Sequence, residues 1–220
     1  MKTYSHFGIN DFVVCAGYKG YQIKEYFHNY WLHNCDVTFD MRGHQVEVHQ
    51  DANEPWRVTV VDTGAETMTG SRVAKIRDYV EGETFALTYG DGLADVDVAA
   101  ELEFHRAHGG IATVTAVQPF GRFGAIELSD ECAVMAFQEK PKGDGGWVNG
   151  GFFILEPQVF EHIPEGEDIV WEREPLESLA GSCQLHAFKH DGFWQPMDTL
   201  RDRNHLQDLW DSGEAPWRVW

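Results

Sequence analysis

The sequence predicts an α/β protein: a Rossmann-like mixed sheet with helices on both faces and a small antiparallel extension. Two patterns predict it. Through the first half, short apolar β-branched runs ending in glycine alternate with helix-spaced stretches, as in parallel βαβ units. After Val117 the rhythm changes to strand-rich segments broken by Gly and Pro, which adds antiparallel pairing. The size agrees: 220 residues, 43% of them hydrophobic, bury one substantial core, so a single domain over residues 1–220 is expected.

The first strand is Asp11–Ala16, an apolar run ended by Gly17. Residues 18–33 carry Ile23, Tyr26, Phe27, Tyr30 and Trp31 at helical spacing. Val37–Met41, Val46–Val48 and Val58–Val61 read as a small set of strands, separated by Arg42-Gly43 and by Asn53-Glu54-Pro55. A helix is expected over 71–80, with Val73, Ile76 and Val80 on one face. Thr84–Tyr89 is a buried strand ending at Gly90-Asp91-Gly92. Val98–His108 is a helix stopped by Gly109-Gly110, and Ala112–Val117 is the next strand. Then come strands at 124–128, 134–138 and 151–155, short helices at 157–162 and 175–180, a strand at 184–190 and a closing helix at 200–212. No repeat, low-complexity run or linker divides the chain.

Seventeen Lys+Arg against 36 Asp+Glu give a formal charge of −19. That balance repels polyanions and anionic lipid, so neither nucleic acid nor membrane is an expected partner. A phosphate bound by this chain must be met locally, by placed cations, backbone N–H groups or a metal. Cys15, Cys35, Cys132 and Cys183 form no CxxC pair, and the 11 histidines show no zinc spacing. The start MKTYSHFGIND has no signal-like apolar core, and a cytoplasmic location is expected.

Four segments carry chemistry. In Tyr89-Gly90-Asp91-Gly92 an apolar strand delivers one carboxylate between two glycines, at the strand end where α/β sheets bind ligands. Such a carboxylate suits Mg²⁺ held against phosphate oxygens; a plain Asp-Gly turn reads the same. In Phe137-Gln138-Glu139-Lys140-Pro141, Lys140 sits beside a forced turn as a phosphate ligand or a solvated surface lysine. Asp198, in Trp194-Gln195-Pro196-Met197-Asp198, is either a helix cap or a second metal carboxylate, and spacing alone does not pair it with Asp91. Thr67-Met68-Thr69-Gly70-Ser71-Arg72 is a glycine-broken loop entering a helix, an anion site or a capped surface loop. Asn149-Gly150-Gly151 and Gly121-Arg122-Phe123-Gly124 each open a strand as a ligand contact or a turn. The tail Pro216–Trp220 packs either at an oligomer interface or on its own core.

Taken in order, GYKGYQIKEYF, DVTFDM, EPWRVTVVDTG, TMTGSR, TYGDGLADVD, GRFGA, FQEKPKGDG, NGGFF, EPL, GFWQPMDTLRD and APW resemble the bacterial glucose-1-phosphate cytidylyltransferases across essentially the whole chain. FQEKPKGDG and FWQPMDTLRD are the most specific of these. The resemblance implies in-line attack by the phosphate of glucose 1-phosphate on the α-phosphorus of CTP, giving CDP-glucose for bacterial surface polysaccharides and releasing pyrophosphate. It implies Mg²⁺ on Asp91 and Asp198, and Lys140 on the sugar phosphate with Glu139 on a glucose hydroxyl. It places Thr67, Thr69, Gly70, Arg72 and Gly90 on the nucleotide side, Asn149 and Gly150 around the sugar, and Arg122 as a weaker contact. It also implies a homo-oligomer. The family's first strand and GGxGTRL loop have no counterpart in these 220 residues, so little transferase activity is expected of them. A sugar-1-phosphate thymidylyltransferase, and a noncatalytic sugar-phosphate-binding remnant or partner subunit, remain as alternatives.

Overall fold

The computed structural model describes residues 1–49, 54–80, 82–119, 125–129, 133–138, 146–166 and 168–220. The chain divides into two compact units, Met1–Glu81 with Ile163–Pro175, and Gly82–His162 with Leu176–Trp220.

The first unit holds α1 (Lys2–His6), β1 (Asp11–Ala16), α2 (Gly20–His28), α3 (Tyr30–Asn34), β2 (Val37–Asp40), β3 (Gln45–Val48), β4 (Arg57–Asp62), α4 (Thr69–Ala74) and α5 (Arg77–Val80). The β-branched runs of β1 and β4 pair in parallel from Asp11↔Arg57 to Ala16↔Asp62. The expected helix over 18–33 is two helices, because Asn29 leaves helical geometry at φ −101, ψ 13. Of the three expected neighbouring strands, β2 and β3 form a hairpin through Val37↔Val48 and Phe39↔Val46, while β4 joins β1 instead. The helix expected over 71–80 starts earlier and breaks into α4 and α5. Residues 163–175 return to this unit and bury Trp171 completely, at 0% exposure.

The second unit holds β5 (Phe85–Thr88), β6 (Gly92–Ala94), α6 (Val98–His108), β7 (Ala112–Val117), β8 (Ala125–Leu128), β9 (Val134–Gln138), β10 (Val148–Leu155), most of α7 (Glu174–Gly181), β11 (Leu185–His190), β12 (Trp194–Pro196) and α8 (Leu200–Asp211). Its main sheet has the order β11-β7-β10-β5, with β11 parallel to β7 and β10 antiparallel to both its neighbours. Phe153, Leu155, Val117, Val159 and Leu179 form its core. Residues 157–162 are a 3-10 segment where a short helix was expected. β6 and β12 were not anticipated; each has only three residues, too few to show a period.

Helix α6 begins at Asp97, whose side chain accepts the Ala100 amide, and ends at Gly109 in the left-handed region (φ 66). One turn apart, Glu101 and His105 face β7, where Thr115 donates to Glu101 at 2.5 Å and His105 bonds Thr113 at 2.8 Å. The tail packs on its own unit: Ala215 and Trp217 cluster with Leu206, Phe193, Leu93 and Leu209. Among the described residues no helix is long and apolar enough to cross a membrane.

Candidate functional site

Asp91 follows the end of β5, and Asp198 follows the end of β12. The pairing of β6 with β12 runs Ala94↔Trp194, Leu93↔Gln195, Gly92↔Pro196. It extends one step further, where the Met197 amide donates to the Asp91 carbonyl at 2.8 Å. The backbone at Asp91 therefore lies against Met197, one residue from Asp198, and both aspartates are exposed. Two residues that spacing left unpaired are thus brought to adjoining strand ends. Among the described residues no three His, Cys, Asp or Glu side chains gather into a complete metal cage. Two hard carboxylates on an open edge suit a hard divalent cation such as Mg²⁺. Asp198 is not the cap of α8. That role falls to Thr199, which accepts the Asp202 amide while the Asp202 carboxylate accepts the Thr199 amide in return, a capping box.

The Asn149-Gly150-Gly151 segment, near the start of β10, lies at the same end of the sheet. Register shifts between Asn149 and Phe153, so the ladder from β10 to β7 is interrupted there. Gly151 has φ +78, and a Cβ on it would run into the Tyr89 ring. The Asn149 carboxamide oxygen accepts the Gly151 amide at 2.8 Å, and its Nδ2 donates to the Tyr89 hydroxyl at 3.2 Å. The Tyr89 amide donates to the Gly151 carbonyl at 3.0 Å, and the Trp194 indole donates to the Gly150 carbonyl at 2.7 Å. Sequence reading missed Tyr89 and Trp194. Their positions beside Asp91 and Asp198 were the available signal.

On the first unit, Thr67, Thr69, Gly70 and Arg72 come together around the loop after β4. The Arg72 guanidinium donates to Thr63 Oγ1 (2.6 Å) and to the carbonyls of Gly64 (2.9 Å) and Ala65 (3.3 Å). It lies over Gly17, where a Cβ would collide with it. Lys75 Nζ donates to the Thr63 carbonyl and to Thr67 Oγ1, so the buried Thr67 faces into the loop. The start of α4 differs from an open anion site. The amides of Gly70 and Ser71 both donate to the Ile169 carbonyl (2.8 and 3.2 Å), and Thr69 Oγ1 accepts from Trp171 and donates to Glu172. This is the capped-loop alternative, with the cap supplied by the returning segment. Gly90 is exposed beside Asp91. Arg122, Glu139 and Lys140 lie outside the described residues.

A nucleotidyl transferase family profile matches residues 1–194. The chain is 55% identical to a glucose-1-phosphate cytidylyltransferase of Salmonella typhi, over 100% of this chain and 85% of that protein. A probable glucose-1-phosphate cytidylyltransferase of Bacillus subtilis is 39% identical over the same shares. Among solved structures, HddC from Yersinia pseudotuberculosis superposes with a TM-score of 0.66 at 17% identity, covering 96% of this chain and 83% of that one. An apo UDP-glucose pyrophosphorylase gives 0.64 at 14% identity, covering 96% and 85%. At such identities the two structures speak for the fold alone.

Proposed function

The chain belongs to the nucleotidyl transferase family, among the glucose-1-phosphate cytidylyltransferases, and from that premise we propose that it transfers a cytidylyl group from CTP to glucose 1-phosphate. The products are CDP-glucose and pyrophosphate. The observation that carries this reading is the backbone of Asp91 lying against Met197, next to Asp198, at the end of the β6–β12 pairing.

The chemistry asks for positioning and charge neutralisation, with no covalent nucleophile on the protein. Asp91 and Asp198 would hold Mg²⁺, which would supply positive charge beside the reacting phosphates. Asn149 and Gly150 frame the sugar, Lys140 takes its phosphate and Glu139 a hydroxyl, and Arg122 is a weaker candidate for the sugar phosphate. The loop built on Thr67, Thr69, Gly70 and Arg72 takes the nucleotide on the first unit, and Gly90 takes it on the second. Since Arg72 and Thr67 bond inward, that loop offers the nucleotide mainly a fixed backbone. The protein works in the cytoplasm, as a homo-oligomer.

Binding is read beside turnover, so that substrate recognition and chemistry are separated. Calorimetry is expected to show saturable glucose 1-phosphate binding that strengthens with Mg²⁺. Asp91→Asn and Asp198→Asn are each expected to erase the Mg²⁺ dependence. CDP-glucose is expected as the product when CTP competes with dTTP and UTP. A chain that ignores glucose 1-phosphate at every Mg²⁺ concentration overturns the reading. Preferential incorporation of dTTP moves it to thymidylyl transfer.

A further inference from the structure

We propose that Trp194 is a positioning residue for the sugar-phosphate half of this site, acting through the Gly150 carbonyl and seconded by Tyr89. The inference rests on the proposed function and names residues to which neither the motifs nor the comparisons give a role.

The geometry begins with the break in β10. Between Asn149 and Phe153 the strand slips register against β7, which takes Gly150 and Gly151 out of regular pairing. Breaks of this kind re-aim a side chain at a sheet end, and they hold their shape only if the freed backbone groups find other partners. Gly150 is buried, and its carbonyl receives the Trp194 indole N–H at 2.7 Å. Gly151, held at φ +78, gives its carbonyl to the Tyr89 amide. The Asn149 carboxamide is pinned at both ends, by the Gly151 amide and by the Tyr89 hydroxyl.

Trp194 stands on β12, opposite Ala94 of β6. Its indole passes the bare Cα of Gly92: a Cβ there would lie 3.9 Å from the indole nitrogen and 3.8 Å from the Gly150 oxygen. One side chain therefore spans from the strand leading to Asp198, past the residue after Asp91, to the segment carrying Asn149. Three chain segments far apart in sequence are tied at one point. A change in the angle of β12 would move Asp198 and the Asn149 segment together, which keeps metal and sugar in mutual register.

Trp194→Phe keeps an aromatic ring and removes the donor, which leaves a buried carbonyl without its bond. Tyr89→Phe removes only the oxygen that receives Asn149. The experiment measures glucose 1-phosphate and CTP binding by calorimetry with Mg²⁺, alongside thermal melting, on the wild-type chain and both variants. The expected result is glucose 1-phosphate binding weaker by about tenfold in W194F and about threefold in Y89F. CTP binding stays within about twofold and the melting temperature within a few degrees. Equal glucose 1-phosphate affinity in wild type and W194F overturns the inference and leaves the proposed function standing. So does parallel weakening of both ligands in step with lost thermal stability, the signature of a merely structural tryptophan. If W194F does not fold, Y89F decides by the same split. A wild-type chain that binds no glucose 1-phosphate overturns the proposed function itself.

Discussion

Arg72 holds the 63–67 loop from within, with one planar guanidinium reaching a hydroxyl and two carbonyls. A lysine in its place has no fork to match that set. Arg72→Lys is therefore expected to weaken CTP binding by about tenfold while glucose 1-phosphate binding stays within about twofold, as titration of each ligand would show. Equal losses for both ligands would contradict a role confined to the nucleotide loop. Asp91 was legible as a candidate because it stands between two glycines after an apolar strand, and Arg72 because it follows Gly70 where a loop enters a helix. Their partners were not. The contact of Arg72 with Gly17 and the approach of Asp198 to Asp91 are products of strand pairing, which no local spacing encodes.

Two helices carry predictions of their own. Thr199→Ala removes the side chain that caps α8 and one half of the box with Asp202. A loss of about 1 kcal/mol is expected, read as a melting temperature lower by about 2–4 °C. In α6, Glu101 is 1% exposed, with one oxygen bonded to Thr115 and the other, Oε2, without a hydrogen-bond partner. Burial pushes its carboxyl up to about 7 from 4.5, against the smaller opposing effect of the Thr115 bond. The folded state thus holds a proton that the unfolded chain releases above its own lower pKa. Stability is unaffected by this group below about 4.5, falls as pH rises from there to about 7, and is flat above. Glu101→Gln keeps the shape without the proton, so it is expected to flatten that part of the profile. It would leave the protein more stable than wild type above pH ~7, by on the order of 3 kcal/mol. Unchanged pH dependence in the variant would show that Glu101 does not titrate there. Among the elements, β1, β7 and α6 were readable from periodicity and stop signals. The break at Asn29 was not, because the apolar spacing continues through it. β6 and β12 exist only by pairing with each other.

At the scale of the molecule, a formal charge of −19 on 220 residues makes self-repulsion a standing cost of folding. Raising monovalent salt from ~0.01 to ~0.5 M is expected to raise the melting temperature, since screening shortens the reach of like charges. A fall would mean that favourable ion pairs dominate. The α/β class was legible because alternating strand and helix periods survive averaging over a long chain. The return of residues 163–175 to the first unit was not, since nothing in that stretch advertises its partner. That return also ties assembly to synthesis. The bonds that cap α4 join residues 98 positions apart, as between Ser71 and Ile169. At roughly 5–20 residues per second on the ribosome, α4 waits about 5–20 s for its cap after it emerges. Through that interval the first unit lacks its returning segment, and a chaperone that shields it would raise the yield of native chains.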